Sequence, residues 1–475
     1  MTVTGIKGLE ADVKRSMQAL GGLPENWVPA RPGVDHDVLI VGGGQSGVTA
    51  AFALARTGIS RFSVIESADE AATGAWRSKA RMRVLRTAKR NTGPDLGIPA
   101  LAFRAWYEAQ HGAAAYEAIG RVATTDWIDY LAWVRAQTGV PVRFGTRLVR
   151  IEPEPAHDRL RVHLDVNGVA RVETVRKVVL ATGAVGGGVP NIPEVIRTGL
   201  PADRYAHSDA AIDFAALKGR DVAVLGGGSS AFDAAAVALE AGAATVRLLV
   251  RADDLVRASP GKQAVYPGVA NNFFDLPDEK RWRLARFLRA RSPGPMTETV
   301  LRATAFSNFH IHLATEVKAA AVENGRIALR LDDELRHVDF VILGTGYTID
   351  PALRPELADV ADEIATWGDR PATAGAPRTP ALRYPYLGDG YQFTERHPGA
   401  APWLADIHCF NYSAITSYGR HVGDVSSLAT GIPRLVAAVS RDLFLADFDA
   451  HHERITGASG VELTGEEYAH AVWRG

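Results

Sequence analysis

Two glycine-rich segments hold the residue types and spacings best suited to chemistry. Gly42-Gly43-Gly44-Gln45-Ser46-Gly47 follows the pattern G-x-G-x-x-G, and Gly226-Gly227-Gly228-Ser229-Ser230-Ala231 follows G-x-G-x-x-A. In such a turn the first glycine permits a tight bend and the second lets the backbone approach a pyrophosphate. The third small residue lets helix and strand pack closely. The helix that follows turns free N–H groups and positive potential toward the anion. Glu66, 24 residues after Gly42, closes the next strand, where a carboxylate accepts the hydroxyls of an adenosine ribose. At the corresponding place in the second motif, 25 residues after Gly226, stands Arg251. A carboxylate there would repel a 2′-phosphate, whereas a guanidinium pairs with it, so the second site is expected to prefer NADPH to NADH. Asp253 and Asp254 follow closely, which leaves a plain surface cation as the competing reading of Arg251.

These motifs need strands before them and helices after them, and the pattern supplies both. The apolar run 37–41 ends in the first glycines, an Ala-rich stretch of helical periodicity covers 46–57 until Gly58, and 62–65 is the next strand. The same order recurs as strand 221–225, helix 230–241, Gly242 and strand 246–250. Two further strands end alike, one in Thr182-Gly183 and one in Gly344-Thr345-Gly346, and they flank the second unit. The expected fold is α/β, with two Rossmann-like dinucleotide-binding domains, the second inserted into a discontinuous first. The divisions are an N-terminal extension at 1–34, a first part at 35–185, the inserted domain at 186–337, and a second part with C-terminal helices at 338–475. Residues 351–400, rich in Pro, Gly and Asp, read as mainly irregular.

Composition narrows the partners. With 53 basic and 54 acidic residues the net charge is -1, which gives no electrostatic case for nucleic acid or an anionic membrane. Arg281, Arg283, Arg286, Arg289 and Arg291 read as a solvated helix face, with phosphate binding as the alternative. Cys409 is the single cysteine, so neither an intramolecular disulfide nor a C-x-x-C pair is available, and one thiol suits a reducing cytosol. Residues 1–22 lack an apolar run, and no segment reaches the length of a membrane span. A cytoplasmic protein is expected. No His/Cys/Asp cluster has metal-ligand spacing.

With both motifs placed, residues 35–440 resemble the FAD/NAD(P)H two-dinucleotide flavoproteins. Within them they resemble the flavin-dependent monooxygenases: flavin-containing monooxygenases, Baeyer–Villiger enzymes and amine N-hydroxylases. Gly74-Ala75-Trp76-Arg77 resembles the G-x-W-R segment that follows the FAD acid, and Met82 to Thr87 the loop that reaches the flavin. His207-Ser208 is similar to the His-Ser of the family's linker, and Asn411 to Asp424 precede a helix as they do there. Pro201 and Asp203 replace the Phe and Gly of that linker, Ala88 stands where flavin-containing monooxygenases carry asparagine, and no Tyr-Pro-Gly follows Trp76. Asn271-Asn272-Phe273-Phe274-Asp275 resembles the N-hydroxylases, and the stretch 81–107 is similar to bacterial urate-hydroxylating flavoproteins.

The resemblance implies FAD and NADPH held by Gly42, Gly44, Gln45, Ser46, Gly47, Glu66, Trp76, Arg77, Thr182, Gly183, Gly226, Gly228, Ser229, Ser230, Ala231, Arg251, Gly344, Thr345, Gly346 and Asp424. It implies that NADPH reduces the flavin, O2 adds as a hydroperoxide, and one oxygen atom passes to a small organic substrate by N-hydroxylation or a related step. Urate or another purine is the alternative substrate class. A reductase passing electrons to a quinone without oxygen insertion is the competing function. The candidates for catalysis are Arg83, Thr87, His207 and Asn411. Arg83, Arg86, Lys89 and Arg90 either hold an anion or carry solvated charge, and Asn411, Tyr412, Thr416, Tyr418 and His421 either line a pocket or cap and pack. The expected partners are the substrate and O2, with a homo-oligomer possible.

Overall fold

The structure is a computed structural model that describes residues 5–91, 93–290, 294–332, 334–457 and 460–475. The strand His36–Val41 lies between Phe62–Ile65 and Val169–Leu180, parallel to both. Its residues Val38, Leu39 and Ile40 are fully buried, as expected of a parallel strand covered on both faces. Arg159–Val166 and Thr146–Glu154 extend this sheet as an antiparallel meander. The C-terminal part of the chain returns to it, where Ile407–His408 pairs in parallel with Val178 and Val179. Helices Gln45–Arg56 and Val425–Ala446 pack against one another, and their buried faces join the same core.

The second sheet is wholly parallel, in the order Phe309–His312, Thr245–Leu249, Asp221–Leu225, Phe340–Leu343, Tyr205–His207. Helix Ser229–Glu240 lies on it so closely that Ala231, Ala234, Ala235 and Ala236 are fully buried. A three-stranded antiparallel sheet of Ala319–Glu323, Arg326–Arg330 and Leu335–Val338 flanks it.

The division expected at 337/338 falls too early. Phe340–Leu343 pairs with Asp221–Leu225 on one side and Tyr205–His207 on the other, so this strand belongs to the second sheet. The crossing points are marked instead by Val189–Pro190 and Tyr347–Thr348, which pair antiparallel as a two-stranded link. Residues 351–400 form short 3-10 turns and isolated bridges around buried side chains such as Trp367 and Tyr384. No helix among the described residues is long and apolar enough to cross a membrane.

Candidate active site

The two glycine turns show which glycines the protein needs for itself. Gly42 has φ +113, and a Cβ on it would sit 2.5 Å from the Ala181 carbonyl oxygen; a Cβ on Gly47 would sit 1.8 Å from that of Gly42. Gly44 differs, because its φ is an ordinary -76 and a Cβ there would meet nothing within 4 Å. The chain's own packing does not demand glycine at 44, and the space in front of it suits a close-approaching pyrophosphate. The second turn repeats the design. A Cβ on Gly226 would lie 2.4 Å from Gly344 O, Gly228 faces open space, and Ala231 fits because Gly344 has no side chain.

Glu66 is fixed by its neighbours: Oε2 accepts from Gly43 N and Oε1 from Ala68 N, both at 2.9 Å. Gln45 ties three segments together. Its Nε2 donates to Gly423 O at 2.7 Å, and its Oε1 accepts from the indoles of Trp76 at 3.1 Å and Trp127 at 3.2 Å. Asp424 caps the helix Val425–Ala446 through Ser427 N at 2.7 Å. The open cradle, the anchored acid and these ties fit an FAD. They line one cleft of about 1590 Å³ with Arg77, Thr182 and Gly183, and the cleft continues to Ser230 and Asp233 of the inserted unit. That exceeds the roughly 300–1,000 Å³ usual for one small ligand.

Of the four catalytic candidates, only Thr87 lines this cleft. Arg83 points away, exposed and paired with Glu240 at 2.7 Å. His207 brackets two segments away from the cleft lining: Nδ1 accepts from Asp209 N at 3.1 Å and Nε2 donates to Gly346 O at 2.9 Å. Burial holds its pKa below the ordinary value, which keeps the ring neutral. Asn411 is fully engaged in the core, donating to Leu180 O and Thr182 Oγ1 and accepting from Ser413. Thr345 fastens the link strand by donating to Asn191 O, and Ser229 donates to Gly294 O at 3.2 Å.

The basic residues near the flavin loop also find protein partners. Lys79 pairs with Asp209 at 2.9 Å, Arg81 donates to Ser208 O and Ala210 O, and Arg86 pairs with buried Asp233 at 2.8 Å. With Arg83 on Glu240 they stitch the first unit to the inserted one. Lys89 donates to Tyr116 O, which leaves Arg90 exposed on the cleft. Of the expected pocket residues, Tyr412 and His421 line the cleft, while Thr416 and Tyr418 are buried in packing. His421 has no hydrogen-bond partner at Nδ1 among the described residues. Burial lowers its pKa, with Arg420 and Arg86 adding and Asp424 opposing.

The expected solvated arginine face is corrected at two positions. Arg281 is buried beneath Phe274, Trp367 and Tyr386, and Arg289 turns into the cleft; Arg283 and Arg286 are exposed. Arg291 lies outside the described residues. The sequence signal that was overlooked is the aromatic density around 367, 384 and 386, which offers ring faces to cations. Arg251 is exposed after the strand Thr245–Leu249, and its competitor Asp254 is engaged by Arg257 at 2.7 Å. Among the described residues no cluster of His, Cys, Asp or Glu is arranged for a metal ion.

Residues 39–287 match the family described as pyridine nucleotide-disulphide oxidoreductase. The chain belongs to that family. Its placement within the flavoprotein monooxygenases follows from a relative 40% identical over 462 residues, 96% of this chain and 97% of the other: an FAD-dependent urate hydroxylase of Xanthomonas campestris pv. campestris. The fold is shared with the ornithine hydroxylase of Pseudomonas aeruginosa (TM-score 0.67, 18% identity, covering 86% of this chain and 99% of that one). It is shared equally with the L-lysine 6-monooxygenase of Pseudomonas syringae (0.67, 18%, with the same coverage). The flavoprotein does not carry the dithiol that the family description brings to mind. Burial pushes the Cys409 thiol up to about 12, and it donates to Asn411 Oδ1 and Ser413 Oγ away from the cleft lining.

Proposed function

We propose that this flavoprotein is an FAD-dependent, NADPH-using monooxygenase that hydroxylates urate or a closely similar planar purine anion. One observation carries the reading. The cleft that holds the flavin cradle and reaches the second unit also takes in Tyr347, Tyr412, His421, Arg289 and Arg420, rings and cations that neither glycine turn requires. Ring faces stack on a planar heteroaromatic substrate, and cations offset its charge. The urate-hydroxylating relative supports the same substrate class.

When bound, FAD would supply hydride acceptance from the nicotinamide and transfer of one oxygen atom of O2 to the substrate, the other atom leaving as water. The chain does the rest. The N–H groups that open the helix at Gln45 would hold the pyrophosphate, Glu66 the ribose, and Arg251 the 2′-phosphate of NADPH. Thr87 offers a hydroxyl to the cleft. His421, neutral near pH 7 and unengaged at Nδ1, takes a proton from the bound purine.

The test mixes the NADPH-reduced holoenzyme with labelled oxygen and urate, with ornithine and lysine in parallel, and weighs the products. One label in a hydroxylated urate supports the proposal. Label in an N-hydroxylated amine transfers the function to the other branch. Peroxide without labelled product, alongside rapid reoxidation by quinones, makes the protein a reductase.

A further inference from the structure

The helix Asp278–Ala290 of the inserted unit carries Arg281 and, eight residues on and so on the same face, Arg289. The two sit differently. Arg281 is buried in the fold away from the cleft: it pairs with Asp278, donates to Tyr386 Oη at 2.8 Å, and lies against three aromatic rings, with its Nε and Nη1 enclosed there without a hydrogen-bond partner among the described residues. Arg289 has its guanidinium carbon 4.2 Å from the centre of the Tyr384 ring, and it lines the cleft. Its Nη1 is buried without a hydrogen-bond partner among the described residues.

The carboxylates of the cleft are already committed elsewhere. Glu356 binds Arg354, Asp233 binds Arg86, Asp209 binds Lys79 and Tyr347, Glu70 binds Arg135, Glu66 accepts from Gly43 and Ala68 N, and Asp424 caps its helix. Nothing among the described residues neutralises Arg289. A buried donor left idle is costly, and a guanidinium already held over a ring loses little further freedom when it receives a planar group. Its fork matches two adjacent acceptors on the edge of a planar anion.

We propose that Arg289, held by the face of Tyr384, is the specificity-determining anchor for the anionic edge of the substrate. This rests on the purine-anion reading given above.

The experiment compares wild-type, Arg289→Gln and Arg289→Lys holoenzymes with urate as the probe. It measures urate binding through the flavin spectrum, the KM for urate against kcat, flavin content, and the rate of flavin reduction by NADPH without urate. The glutamine variant should bind urate roughly ten- to hundredfold more weakly, with flavin content and reduction by NADPH unchanged and the lysine variant in between. Wild-type affinity in the glutamine variant overturns the anchor. A parallel loss of flavin or of reduction by NADPH also overturns it, because that is the signature of a structural role. A wild-type enzyme that neither binds nor oxidises urate overturns the substrate reading itself, which is a different result from failure of the variant alone.

Discussion

Gly44 and Gly47 are three residues apart and should fail in different ways. A Cβ on Gly44 meets open space on an ordinary backbone conformation, so Gly44→Ala should change the stability of the flavin-free protein by no more than about 1 kcal/mol, the scale of an altered helix cap. A Cβ on Gly47 lands 1.8 Å from the Gly42 oxygen, so the helix must leave the strand. Such overpacking costs about 1–3 kcal/mol or more. The order reverses for FAD. The methyl at 44 stands where a phosphate must come within hydrogen-bond distance of backbone N–H groups. Losing one or two charge-assisted bonds, at about 1.5–3 kcal/mol each, weakens FAD by about tenfold to ten-thousandfold. The assay strips the flavin, compares denaturant unfolding of the apoproteins, then measures visible flavin absorbance per protein after reconstitution and gel filtration. Gly228→Ala, equally open, should keep its FAD and lose reduction by the nicotinamide cofactor. Full flavin occupancy in Gly44→Ala, or an apoprotein as unstable as Gly47→Ala, refutes the reasoning.

Arg251→Ala should weaken NADPH by roughly ten- to hundredfold and leave NADH unchanged in stopped-flow flavin reduction; equal losses for both cofactors sink the phosphate assignment. His421→Asn should lower kcat for urate oxidation and remove the acid limb of its pH profile, while an unaltered profile excludes His421 as the proton acceptor. Burial lowers His408 to about 4, so the unfolded chain takes up a proton near its ordinary pKa of about 6.5 that the folded chain refuses. Stability from this group is therefore complete above about pH 6.5 and falls as pH drops toward 4, by about 3 kcal/mol; urea unfolding of wild type and His408→Asn at both ends of that range should show the pH slope reduced in the variant. Arg86→Ala strands the buried Asp233 carboxylate and should destabilise by about 3 kcal/mol in urea unfolding at neutral pH, whereas Asp233→Asn in the same background should restore part of the loss.

The sheets and turns were legible because their signals are local. An apolar run, a glycine turn and an Ala-rich helix are all contiguous, and backbone geometry enforces them wherever they sit. The strand Phe340–Leu343 was recognised as a strand but given to the wrong unit, since pairing across more than a hundred residues leaves no mark within the segment. The surroundings of the polar candidates were illegible for a related reason. His207 and Asn411 have the side chains of catalysts, yet each satisfies its hydrogen bonds with backbone brought from elsewhere in the chain. Arg289 and Arg281 looked alike in sequence. Only the placement of Tyr384, Phe274 and Trp367 around them separates the guanidinium on the cleft from the one enclosed among rings.

The four basic residues that stitch the flavin loop to its neighbour make the inserted unit a tailored part. Lys79, Arg81, Arg83 and Arg86 belong to the first unit, while Asp209, the carbonyls of Ser208 and Ala210, Glu240 and Asp233 belong to the second. A chimaera that exchanges only the nicotinamide half with that of a distant flavoprotein would leave four cations facing strangers. It would fold each half around its own core and still misalign the seam. Transplanting the inserted unit therefore means carrying those acids across with the domain.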